Sequence, residues 1–170
     1  MRLMLAGGVA LLLMGHSPYR QWYAFRAKHL IVVTDDANPK AFPLAEQVAA
    51  TIAARIPESK AMAAKAKTPT DVVKLLRSHQ LQVGLLPIDD ALEAFQQRGK
   101  FSQDAPVPLR TLAVFGTYLL VTLEDYSRDK AQQIVKSLAE HPGLAKGKPP
   151  IPFHPGAADY YEGRSSQGEF

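Results

Sequence analysis

Short, β-branched apolar runs alternate with stretches of helical period along most of this chain, and few architectures accommodate that alternation. Leu30 to Thr34 and Val83 to Leu86 are almost continuously apolar, as strands covered on both faces must be. Between them, Leu44, Val48, Ile52 and Ile56 share one stripe of a helix expected from about Pro43 to Ile56, which Pro57 ends. A weak strand is expected from Lys60 to Lys67. Thr68 and Asp71 then stand at capping-box spacing, ahead of a helix that turns Val72, Leu75 and Leu76 inward. A further helix is expected from about Asp90 to Gln97. Strand-like runs follow at Leu109 to Phe115 and Tyr118 to Thr122, either side of Gly116, and then a helix from about Ser127 to Glu140. His141 to Pro150, rich in Gly and Pro, reads as loop. Strands separated by helices of this length predict an α/β fold, with a three-layer, mostly parallel sheet.

A chain of 170 residues, 46% apolar and 21% charged, can bury a substantial core as one domain, or as one domain plus a targeting segment. The absence of cysteine excludes a disulfide framework, thiolate chemistry and a Cys-based zinc site. The net charge of +4 invites a nucleic-acid reading, but its placement argues against one. Arg2, Arg20, Arg26 and Lys28 precede every acidic residue, and from His29 onward basic and acidic residues balance. Without a concentrated basic face, counterion release offers little drive for phosphate-backbone binding, and no nucleic-acid partner is expected.

The cationic excess therefore belongs to the first 28 residues. Met1-Arg2 leads an apolar run from Leu3 to Gly15, shorter than the roughly 20 residues that span a bilayer as a helix. Ser17 as N-cap and Pro18 at the first helical position open a second segment, in which Tyr19, Trp22, Tyr23 and Phe25 interleave with Arg20 and Arg26. That mixture suits a membrane interface. Residues 1–28 are accordingly expected to be an uncleaved signal anchor, a transmembrane or interfacial helix; 29–163 the α/β domain; and 164–170 a flexible tail.

In open α/β sheets the ligand crevice lies beyond the C-terminal ends of the strands. Here that places Thr34, Asp35 and Asp36 after the first strand, Pro87, Asp89 and Asp90 after the later one, and Tyr118 beside them. Paired carboxylates facing one crevice suit a hard cation or acid and base roles, the route by which Asp35, Asp89 and Asp90 would serve a metal-dependent enzyme. They equally suit helix N-caps. The five histidines lack ligand-like spacing, and no phosphate loop, dinucleotide fingerprint or metal motif occurs, so neither cofactor nor metal is expected.

The chain closes on Ile151-Pro152-Phe153-His154-Pro155-Gly156-Ala157-Ala158-Asp159-Tyr160-Tyr161-Glu162. Pro152 and Pro155 set an extended approach, and Gly156 permits redirection into a helix from Ala157. His154 is expected to hydrogen-bond within the Pro-Gly turn, and Tyr118, Tyr160 and Tyr161 to be core or rim aromatics. This ending resembles the C-terminal signature of the TAXI solute-binding proteins of TRAP transporters, in which a Pro-rich segment with an L-H-P-G-A-like core leads into a short helix bearing paired tyrosines. The resemblance covers residues 29–163 in two pieces. His29 to Phe115, including Leu81-Gln82-Val83-Gly84-Leu85-Leu86-Pro87-Ile88-Asp89, is similar to the opening lobe, and Tyr118 onward to the returning C-terminal portion. The second lobe is missing between them.

The resemblance implies one lobe of a type II periplasmic-binding-protein-like fold and a noncatalytic role at the periplasmic face of the cytoplasmic membrane, in a bacterial cell envelope. It further implies binding of a small organic solute, or contact with a TRAP membrane subunit or another envelope protein. A structural scaffold with a degenerate pocket is the alternative. Asp35-Asp36 and Pro87-Ile88-Asp89-Asp90 stand where relatives carry a Gly, Ser and Thr-rich loop and a polar turn, and four carboxylates oppose the anionic solutes that the family implies.

Overall fold

The computed structural model describes residues 18–145 and 147–164. Helix α1 (Pro18–Lys28) is followed by β1 (Ile31–Asp35), α2 (Ala41–Arg55), β2 (Met62–Ala66), α3 (Pro69–Arg77), β3 (Val83–Pro87) and α4 (Ile88–Phe95). Then come β4 (Leu109–Phe115), β5 (Tyr118–Leu123), α5 (Arg128–Ser137) and α6 (Pro155–Tyr161), with single 3₁₀ turns at Pro57–Ser59 and Gly99–Phe101. The sequence pattern therefore places every strand within a residue or two. Thr68 caps α3 by accepting the Asp71 N–H at 3.1 Å, and Ser127 stands at the N-cap of α5.

The five strands form one sheet in the order β2-β1-β3-β5-β4. β1 runs parallel to β2 and β3, whereas β5 is antiparallel to both β3 and β4. The expected mostly parallel pairing is thus corrected to a mixed sheet, in which β5 runs against its four companions. The reason is connection length: only Gly116 and Thr117 join β4 to β5, and a parallel pair needs a crossover of a dozen residues or more. Gly116 takes φ +59° in that turn, where a side chain would be strained.

Helices cover both faces. On one face Val32, Leu85 and Leu120 pack with Val48 and Ile52 of α2, Ile134 and Val135 of α5, and Ala157 of α6. On the other, Ile31, Val33, Leu119 and Val121 pack with Val72 and Leu76 of α3 and Ala91 of α4. The strands read as apolar runs because both of their faces are buried.

The C-terminal segment docks on the free edge of β4. Thr111 N–H donates to the Pro152 carbonyl at 2.9 Å, His154 N–H donates to the Thr111 carbonyl at 2.8 Å, and the Thr111 hydroxyl donates to the Ile151 carbonyl at 2.9 Å. A β-bulge interrupts β4 between Thr111 and Ala113, and the carbonyl of the skipped residue, Leu112, accepts from the Tyr161 hydroxyl at 3.3 Å. Gly156 does not redirect the chain into a helix from Ala157, because α6 already begins at Pro155 and Gly156 has no positive φ. It is small because α6 crosses α5 at contact distance: a Cβ there would sit 2.0 Å from the Arg128 carbonyl oxygen. Asp159, 6% exposed, joins the two helices by a bidentate pair with Arg128, and Arg164 adds a further contact at 2.6 Å.

Among the described residues no helix is long and apolar enough to cross a membrane; α1 has 11 residues. The apolar run from Leu3 to Gly15 and the cap at Ser17 lie outside the described residues, as do 165–170. Helix α1 begins at Pro18 as the sequence implies and leaves Trp22 52% and Tyr23 72% exposed.

Substituting Gly156→Ala should destabilise the domain by about 3 kcal/mol or more, because backbone rather than a mobile side chain obstructs the added methyl. Urea unfolding of the variant would measure this. A midpoint equal to wild type would show that α6 can move off α5 freely.

Candidate functional site

The C-terminal end of the sheet brings Thr34, Asp35 and Tyr118 together. Thr34 and Asp35 end β1, and Tyr118 opens β5 opposite Pro87 at the end of β3. All three are buried, at 0%, 1% and 8% exposure. Asp35 Oδ1 accepts the Asn38 N–H at 3.1 Å, and Asn38 Oδ1 accepts the Lys40 N–H at 3.1 Å, so the loop after β1 folds as two successive Asx-type turns. The Asn38 side chain also reaches the Tyr118 hydroxyl. Burial pushes that phenol above its ordinary pKa, the Asn38 hydrogen bond works the other way, and the nearby charge of Asp35 raises it further. Two atoms in this cluster, Thr34 Oγ1 and Asp35 Oδ2, are buried without a hydrogen-bond partner.

The other three carboxylates do not join them. Asp36 pairs with Lys65 of β2 at 2.7 Å, Asp90 pairs with Lys100 at 2.5 Å, and Asp89 is exposed in the first turn of α4. None of the four is an N-cap: Lys40 and Pro87 occupy those positions, without side-chain capping bonds. Among the described residues no three His, Asp or Glu side chains gather as a metal site.

At the far end of the strap, His154 is 0% exposed and satisfied at both nitrogens. Nδ1 accepts the Gly156 N–H at 3.1 Å and caps α6, while Nε2 lies 3.0 Å from the Tyr126 carbonyl. An acceptor at Nδ1 and a donor at Nε2 define one neutral tautomer. Burial is the main cause holding its pKa below 6.5; hydrogen bonds to the Tyr126 and Glu124 backbone oppose it. Tyr160 is half-buried, and Tyr161 tilts over Phe153 with ring centroids 4.8 Å apart.

A cavity of about 600 Å³ opens at the opposite end of the sheet, where sequence reasoning placed no site. Its walls are the end of α1, the segments entering β1, β2 and β3, and the segment between β5 and α5. Arg26, Lys28, Lys60 and His79 line it, with Glu58 and Asp125 as the acidic lining residues. No spacing in the chain announces this assembly; the only hint is the basic character of the α1 segment. Compared with models of known protein families and with curated proteins, the chain matches none.

Two outcomes follow from these buried groups. Thr34→Val replaces an unpartnered hydroxyl with a methyl of the same shape and should raise stability by about 1 kcal/mol in the ligand-free protein; destabilisation on denaturant titration would mean that the hydroxyl is satisfied after all. The lowered pKa values of His154 and His141, both chiefly from burial, make the unfolded chain bind more protons below pH 6.5. The stability they contribute is complete above 6.5 and declines as the pH falls through the lower folded-state values. Urea midpoints should therefore drop between pH 7.5 and pH 5.5, and a flat or rising profile would contradict a neutral, buried His154.

Proposed function

We propose that this chain is a noncatalytic, membrane-tethered envelope protein, a single-lobe relative of the TAXI solute receptors that acts by binding. The observation that carries this reading is the β4–β5 hairpin. The two pieces of the resemblance end at Phe115 and resume at Tyr118, and these residues pair directly across the turn. An inserted lobe leaving from β4 and returning through β5 can be removed at that point without disturbing the sheet, since both strands keep their neighbours. The reversed β5, wedged between β3 and β4, fits a returning segment of a type II periplasmic-binding-protein-like lobe. The His154-Pro155-Gly156 motif supports the same reading, being built into the sheet edge and the α5 crossing.

Burial argues for a partner over a solute. Small-molecule sites enclose most of their ligand, whereas the end of this sheet is a sealed surface with Thr34 and Asp35 inaccessible beneath it. A weakly held organic solute would meet Tyr118 and Asn38 first. An accessory role toward a TRAP membrane subunit, or another envelope protein on the periplasmic face, makes better use of such a surface. Tethering rests on the apolar N-terminal run and on the exposed Trp22 and Tyr23 of α1, whose rings suit an interface.

Fractionation tests the tether, and a thermal-shift screen followed by affinity capture from solubilised native membranes tests the binding role. The expected results are a membrane-associated full-length chain, stabilisation of at most a few degrees by any organic acid or amino acid, and a defined envelope protein in the captured fraction. Recovery of the intact chain as a soluble cytosolic protein would refute the envelope reading. Divalent-cation stabilisation that is lost in Asp89→Asn would favour the metal-dependent enzyme instead.

A further inference from the structure

We propose that the cavity at the base of the sheet is an anion site that takes a phosphate group, either free or presented by a phospholipid of net negative charge. It lies at the end of the sheet opposite Asp35 and Tyr118, and neither of these residues lines it.

Three kinds of observation point to an anion. The first is the excess of cations on the walls: Arg26, Lys28 and Lys60 face a space of about 600 Å³ in which Glu58 and Asp125 supply the opposing charge. Asp125 already has a histidine partner, His79, at 3.7 Å. Among the described residues neither Lys28 nor Lys60 pairs with an acid. The second is Arg26 itself. Its Nη1 is held by Gln80 at 2.8 Å, and its Nε is buried with no acceptor. A guanidinium presents its donors as a planar fork matched to phosphate oxygens. The third is the start of α5. Ser127, its N-cap, lines the cavity, and the first-turn amides of this ten-residue helix carry the positive end of its dipole toward that wall.

Phosphate satisfies all three at once, offering several acceptor oxygens to a fork, two ammonium groups and a helix terminus. The place of α1 gives the lipid source its plausibility in geometric terms. Its exposed Trp22 and Tyr23 lie just before Arg26, so a headgroup beside those rings would be within reach of the cavity.

The full-length chain carries its own reporter. Trp22 is the sole tryptophan, and the Arg26 guanidinium stands 5.6 Å from its ring centroid. Reconstituted into phosphatidylcholine vesicles and titrated with inorganic phosphate against sodium chloride of equal ionic strength, the protein should show a saturable change in tryptophan emission. In vesicles that also contain phosphatidylglycerol, the change should be present before phosphate is added if a headgroup is the natural occupant, and phosphate should then add nothing. A phosphate response in both vesicle types assigns the site to the free anion. Lys60→Gln should weaken either response at least tenfold. Lys136→Gln removes the same charge from the opposite end of α5, some 13 Å along the helix by its rise per residue, and should leave the response intact. No saturable change with either probe, or equal effects of Lys60→Gln and Lys136→Gln, would overturn the proposal.

Discussion

A neutral imidazole clamped between two backbone groups holds this domain shut. His154 receives an amide from α6 at one nitrogen and gives a proton to the Tyr126 carbonyl at the other, so a single side chain fixes the strap, the start of α6 and the loop between β5 and α5. The strap solves a problem inherent in an open sheet, because β4 would otherwise present unpaired N–H and C=O groups at an edge. Once the strap is seated, the bulge at Leu112 is no loss: the carbonyl it releases from the ladder is taken up by Tyr161. The opposite edge, β2, is managed more cheaply, by being five residues long and carrying Lys65.

The same clamp explains why α6 can be short. Seven residues would not hold a helix in water without tertiary support. Here Gly156 lets its backbone touch that of α5, and Asp159 ties it to Arg128 and Arg164. The two arginines, through Arg128's hydrogen bonds first, hold the Asp159 carboxyl down to about 2, so this tie stays charged well below the ordinary carboxylate range. Of these devices, the sequence showed the Pro-Phe-His-Pro-Gly run and its extended approach. It did not show why glycine was required, because that reason is a contact between residues 28 positions apart in the chain.

Strands were legible because burial on both faces leaves an apolar run that needs no partner to be recognised. Their directions were less so. The mixed pairing was in fact written in the two residues between Phe115 and Tyr118, too few for any crossover, and the count of helices elsewhere in the chain obscured it. The carboxylates show the converse limit. Asp35, Asp36, Asp89 and Asp90 stand where strand ends predict a crevice, but Lys65 and Lys100 reach Asp36 and Asp90 from other elements. Chain position gives the neighbourhood of a charge, and only the fold gives its counter-charge. The basal cavity was beyond sequence reasoning altogether, since each of its walls comes from a different segment.

The two ends of the sheet now have opposite characters, and this bears on what a lone lobe can do. At the C-terminal end the loop from Asp36 to Lys40 closes over Thr34 and Asp35, leaving polar atoms without partners but also without access. A group buried at such cost persists in a fold either because something once or sometimes pairs with it, or because the surrounding packing leaves no cheaper arrangement. At the N-terminal end the surface is open, cationic and adjacent to the helix that leads from the apolar segment. In a two-lobed receptor the first end is the working face, because the second lobe supplies the other half of the enclosure. On the proposed single-lobe reading that half is absent, and recognition energy would come from wherever the domain still offers concavity and unmatched charge, which in this chain is the base of the sheet.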